Sequence, residues 1–214
     1  MTLRLLPRVF SLAAALLVSA CVTPLPDVPP LLEITSANCA AAPDLSAAVP
    51  TVVTIDGDDE KPALATLDAT SRCLAGTTGK SLYAIFSIPD GGPYTINVSS
   101  VSLGSSILAP KAEVLDAQGA VLHELPTSSF LFRGTNLTSL YRSHAGERYL
   151  LVESDPANVG KPLQRLKENV QVNAVATGYV YVEIHTGTDV ASTATWSHNG
   201  QISVSVVRDK PAKK

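Results

Sequence analysis

Hydrophobic and polar positions alternate with a period of two along most of this chain. Residues 179–185 read Tyr-Val-Tyr-Val-Glu-Ile-His, with Val180, Val182 and Ile184 on one face. Residues 201–206 do the same, with Ile202, Val204 and Val206 inward and Ser203 and Ser205 outward. Such alternation predicts half-buried antiparallel strands. Residues 82–88 are nearly all apolar and predict a fully buried strand. Residues 95–103 alternate and then change phase at Ser99-Ser100, which predicts a β-bulge. Residues 112–115 and 120–125 flank Asp116-Ala117-Gln118-Gly119, a hairpin turn in which glycine supplies the positive φ. Further strands are expected at 52–55 and 148–154. Residues 193–197 are expected to pair with 201–207 across His198-Asn199-Gly200, since Asn-Gly is the strongest short hairpin signal.

One stretch departs from this period. Within 156–173, Leu163, Leu166 and Val170 are spaced at three and four, which predicts a helix. Asp155 or Ser154 would cap it, and Pro156 suits its first turn. Gly160 and Pro162 weaken the first half and move the expected start to near Pro162. The sum is roughly nine to eleven strands and one short helical insertion: an all-β, antiparallel β-sandwich.

Composition places this sandwich in a class. The chain has 214 residues, 45% apolar and 16% charged, which excludes wholesale disorder. The net charge is −3, and no Lys/Arg block occurs beyond the short C-terminal tail, which argues against nucleic acid as a partner.

The N-terminus changes the picture more. Arg4 and Arg8 precede an apolar run over 9–18 that is too short to span a bilayer. The segment ends Val18-Ser19-Ala20-Cys21, which resembles the bacterial lipoprotein cleavage box. Small side chains fit the peptidase cleft, and the Cys21 thiol takes the lipid. The alternative is an ordinary soluble secretory signal with a chance cysteine. Two or more acyl chains anchor stably. Val22 follows the cysteine in place of aspartate, which by the enterobacterial pattern is an outer-membrane address facing the periplasm. Cleavage leaves 14 basic against 19 acidic residues, a net of −5, so the body hangs from its lipid and does not lie on a basic patch. Residues 21–37 contain Pro24, Pro26, Pro29 and Pro30 and read as an extended lipidated tether. The domain is expected over 38–208 and a frayed polar tail over 209–214.

Cys39 and Cys73 remain as a pair in an oxidising compartment, so a disulfide is expected. Free thiols or a metal pair are the alternatives, and with no His pair nearby they make a poor zinc site.

Several stretches resemble the maltose operon periplasmic protein (MalM-like) family. They are Tyr83-Ala-Ile-Phe-Ser-Ile-Pro89 with Pro93-Tyr-Thr-Ile-Asn-Val-Ser99, then Ser106-Ile-Leu-Ala-Pro-Lys-Ala-Glu-Val-Leu-Asp116, the most specific of them. Arg148-Tyr-Leu-Leu-Val-Glu153 and residues 200–206 follow in order. The likeness spans about residues 80–207. The lipidation box and the cysteine pair depart from the family pattern, as does the lack of a long C-terminal extension. The resemblance implies an envelope protein tied to carbohydrate uptake and carries over no catalytic residue. Physically, Pro110 at a strand start removes a donor that would lack a ladder partner. Asp116 can bond the turn backbone that follows it.

The search for chemistry yields little. His123, His144, His185 and His198 form no metal-spaced pair and read as isolated surface residues. No Gly-x-Ser-x-Gly elbow and no Gly-rich phosphate loop occurs. Asp56, Asp58, Asp59 and Glu60 either offer carboxylates to Ca²⁺ or form a solvated turn; the Gly57 position is wrong for an EF-hand. Trp196, the only tryptophan, either packs in the core or stacks on a sugar ring, with Tyr179 and Tyr181 completing an aromatic platform. No cofactor is implied. The expectation is a non-catalytic lipid-anchored module, accessory to maltodextrin-type uptake or binding. The alternative is a structural or assembly lipoprotein that binds other envelope proteins.

Overall fold

The structure, a computed structural model, describes residues 31–101, 105–177 and 180–208; over 165–192 it describes the backbone alone. The signal segment, Cys21 and the tail at 209–214 therefore lie outside the described residues.

In chain order the strands begin with β1 (Val49–Pro50), β2 (Val53–Ile55), β3 (Ala63–Leu67), β4 (Cys73–Gly76) and β5 (Gly79–Ser87). Then come β6 (Thr95–Val101), β7 (Ser106–Leu108), β8 (Pro110–Leu115), β9 (Val121–Leu125) and β10 (Leu131–Arg133). The last are β11 (Asn136–Arg142), β12 (Tyr149–Ser154), β13 (Pro162–Thr177), β14 (Val180–Ser197) and β15 (Gly200–Arg208). The only described helices are two 3-10 turns, Leu45–Ala47 and Thr127–Ser129.

The chain is all-β, as its alternation predicts. One sheet runs β1-β5-β12-β8-β9, with β4 sharing the β5 edge; the other runs β10-β11-β6-β15-β2, with β3 sharing the β15 edge. Their facing sides meet in one core. Phe86, Val114, Leu150 and Val152 come from the first sheet, and Ile96, Val98, Ile202 and Val204 from the second. Strand β5 is buried on both faces. Leu82 and Phe86 enter this core, while Tyr83 and Ile85 join a smaller cluster with Leu74, Leu115 and Leu151 on the outer side. The segment around Leu45 covers that cluster. A Cys39–Cys73 disulfide, with a sequence separation of 34, ties the segment down. Ala40 adds a parallel bridge to Leu74, and the Asp44 N–H donates to the Tyr83 hydroxyl at 3.1 Å.

The hairpin at Asp116 forms as expected: Gly119 has φ +85°, and Asp116 Oδ1 accepts from the N–H groups of Gln118 and Ala120 at 2.8 and 2.9 Å. Four expectations change. Fifteen described strands exceed nine to eleven, in part because β1, β7 and β10 are only two or three residues long and show no readable period. Three pairings, β1 with β5, β2 with β15 and β7 with β14, are parallel, so the sheets are mixed. The Ser99-Ser100 step is no bulge, since β6 keeps unbroken register with β11 and β15. Ser100 simply occupies a core-facing position, with Oγ 3.5 Å from the Leu108 carbonyl.

The fourth change is the largest. The helical insertion does not exist: residues 162–177 are strand β13, paired over its whole length with β14. The spacing of Leu163, Leu166 and Val170 fits a helix, but a long antiparallel partner supplies the backbone bonds in place of helical ones. Nor do residues 193–197 form a hairpin with 201–207. β14 ends beside β7, and β15 lies in the other sheet against β6 and β3. The Asn199-Gly200 step crosses between sheets. A Cβ at Gly200 would stand 2.8 Å from the Leu108 Cβ, so glycine serves a close approach there and not a turn.

Candidate functional site

Trp196 sits near the end of β14, opposite Ile107 of β7. Its carbonyl accepts from the Gly160 N–H at 2.9 Å, and its own N–H donates to the Lys161 carbonyl at 3.1 Å. These bonds set the residue half-buried against the core. There it lines a groove of about 340 Å³ with Phe130, Phe132, Leu137 and Leu163. Thr127, Ser128 and Asn158 supply polar groups to the same groove. Asp155 organises two of them: its Oδ2 accepts from the Thr127 hydroxyl at 2.9 Å and from Asn158 Nδ2 at 2.6 Å. The 3-10 turn at 127–129 and the turn at 155–158 thus present a fixed hydroxyl and amide beside aromatic surface. An aromatic floor with neutral polar groups around it suits a polyhydroxylated ring, which has one apolar face and a polar perimeter.

Of the other expected platform members, only the backbone of Tyr181 is described, and it lies far from the groove along the strand. Tyr179 lies outside the described residues, and the side chain of Tyr181 is likewise undescribed. By backbone register Tyr181 stands opposite Ala176, at the other end of β14 from Trp196. Fifteen residues of extended chain separate the two, about 50 Å. The period-two pattern places residues on a face but says nothing of their separation along a long strand.

Asp56, Asp58, Asp59 and Glu60 are all exposed in the turn after β2, where the Asp58 N–H donates to the Ile55 carbonyl. Among the described residues no three His, Cys, Asp or Glu groups converge to hold a metal ion. Cys39 and Cys73 are joined to each other.

His123, His144 and His198 are not isolated; the side chain of His185 lies outside the described ones. His123 stacks on Tyr141 with ring centroids 5.0 Å apart, joining strands β9 and β11 of opposite sheets. The Tyr141 hydroxyl donates to Glu147 Oε1 and lies 3.0 Å from His144 Nδ1. Glu147 is buried, and its Oε2 accepts from the His144 N–H at 2.8 Å. Burial, and then the neighbouring carboxylate, push the Tyr141 phenol above its ordinary pKa, so it stays a donor. This cluster borders a cleft of about 500 Å³ between the loops at 88–94 and 143–148. An Asp90–Arg148 ion pair joins those loops, and Tyr94 pins the first of them by donating to the Asp90 carbonyl at 2.5 Å. Sequence reading missed this end of the sandwich. Its only sequence signal was a glutamate three residues after His144, in a loop too short to reveal that the carboxylate turns inward.

His198 also has a partner: its Nδ1 lies 2.8 Å from Ser154 Oγ, which accepts from the Leu82 N–H at 2.9 Å. Burial holds the His198 pKa below its ordinary value. Ser154 is fully buried, and the carboxylate of Asp155 is engaged by Thr127 and Asn158. The pair pins β12, β5 and the β14–β15 crossing together.

Comparison with known proteins gives no relative: no family model matches the chain, and no curated protein or solved structure does.

Proposed function

We propose that this chain is a non-catalytic, lipid-anchored periplasmic module that binds a maltodextrin-type saccharide in the Trp196 groove, as an accessory to carbohydrate uptake. The observation that carries the reading is the groove itself, with half-buried Trp196 and Phe132 beside a hydroxyl and an amide held by Asp155. The lipidation box at Cys21 supports the anchor, and Val22 supports an outer-membrane position facing the periplasm. The MalM-like resemblance supports the link to sugars. The non-catalytic character rests on Ser154, the serine that pairs with a histidine, being sealed in the core away from substrate.

Calorimetric titration of the mature chain with maltodextrins of increasing length tests this. Binding that weakens more than about ten-fold on Trp196→Ala and is unmoved by Tyr181→Ala supports it. Absence of heat with every oligosaccharide contradicts it. The anchor is tested separately: Cys21→Ser should release the chain from the membrane fraction, and equal retention would contradict lipidation. A second reading, a structural or assembly lipoprotein that contacts envelope proteins, is favoured by the long β13–β14 arm.

A further inference from the structure

Strands β13 and β14 are 16 and 18 residues long, whereas no other described strand exceeds nine. They pair with each other across sixteen consecutive positions, from Pro162 opposite Thr195 to Thr177 opposite Val180. Among the described residues β13 has no other strand partner, and β7 meets β14 only at residues 195–197. Two long edges of backbone donors and acceptors therefore stand open. A lone two-stranded ribbon is marginal in water, and open edges recruit further strands.

Natural edges are guarded by lysine, proline or a bulge. This arm has no lysine, arginine or proline from residue 168 to 197, and its register has no shift. Its charges are divided between the strands. β13 carries Arg165, Lys167 and Glu168; β14 carries Glu183 and Asp189 and no Lys or Arg. Pairing two β14 edges brings two acidic strands together, and pairing two β13 edges brings two net-basic strands together. Pairing β13 of one copy with β14 of another continues the antiparallel order and joins a net-basic strand to an acidic one. The hairpin's own register sets Glu168 opposite Asp189; a register one residue off brings Lys167 opposite Asp189.

We infer that the arm is a self-association element, in which the β13 edge of one copy pairs with the β14 edge of a second copy of this chain. The contact is head-to-tail, so every added copy leaves an open edge at each end. Assembly then passes beyond the dimer until a ring closes.

Sedimentation velocity on the mature chain carrying Cys21→Ser, across about two decades of concentration, tests this. Species larger than a dimer are expected. They should vanish when residues 168–189 are replaced by Asn-Gly, a variant whose thermal melt reports whether the sandwich remains folded. Arg165→Glu with Lys167→Glu should weaken association roughly ten-fold. Adding Glu183→Lys and Asp189→Lys should restore it. A monomer at every concentration, a dimer as the end point, or assembly that survives loss of the arm would overturn the inference. So would association that appears only with anionic phospholipid vesicles.

Discussion

Strands β5 and β14 are both legible in the sequence, β5 as an apolar run and β14 by alternation over 180–184, yet they are held by different means. β5 has neighbours on both edges: β12 on one, and β4 followed by β1 on the other. Both its faces are also covered, with Phe86 and Leu82 in the main core and Tyr83 and Ile85 in the outer cluster. Among the described residues β14 has a single neighbour for most of its length. The contrast separates two kinds of strand stability. In the sandwich, apolar burial against a second layer dominates, and each methylene removed from water contributes. In the arm, ladder bonds and cross-strand pairs must hold nearly alone, and these are small and solvent-competed terms.

The comparison is sharpest for truncations. Phe86→Ala, at a fully buried site, should lower unfolding stability by about 3–5 kcal/mol in urea melts. Val172→Ala in β13 should move the same melt by less than about 0.5 kcal/mol, because the arm opens locally before the sandwich unfolds. Equal losses would mean that the arm belongs to the same cooperative unit. Next in size, Cys39→Ser with Cys73→Ser should cost roughly 3–4 kcal/mol by the chain-entropy estimate for this loop, read by the same melts under non-reducing conditions. The Leu45 segment should then become a protease-sensitive site while the facing core persists.

Gly200→Ala comes third. It forces a methyl toward Leu108 where no room exists, and about 1–3 kcal/mol of destabilisation is expected. A neutral result would show that the sheet crossing tolerates movement.

The smallest effect is a pH dependence. Burial keeps the His198 pKa below 6.5 in the folded chain, so below that pH the unfolded chain binds more protons at this site. Stability is therefore full above about pH 6.5 and declines as pH falls from there toward the folded pKa. His198→Gln should flatten that part of the urea-midpoint profile, and an unchanged slope would assign it to other groups.

Much of the sandwich was legible in the residues. The run at 82–88, the alternation of Ile202, Val204 and Val206, and the Asp116–Gly119 turn each carry a local signal that the tertiary structure obeys. The misreadings share a cause. Leu163, Leu166 and Val170 satisfy a helical period, while a period of two sets position 163 apart from 166 and 170, and only the distant partner at residues 180–197 overrides that local signal. Asn199-Gly200 looks like a hairpin turn, but Gly200 answers to Leu108, ninety-two positions earlier. Of the site, Trp196 was readable as a lone aromatic on a strand. Its companions Phe130, Phe132 and Asn158 were not, because a groove is a property of loops brought together by sheet order. The Tyr141–Glu147 pair was hidden for the same reason.

The sandwich is stable by itself, whereas the arm relies on a second copy. Hydrogen–deuterium exchange of the mature Cys21→Ser chain at low and high protein concentration tests it most directly. Amides of β5, β6, β12 and β15 should be strongly protected at both concentrations, and those of β13 and β14 should gain protection only at the higher one. Arm amides as protected as the core in dilute monomer, or left unprotected at high concentration, would contradict it.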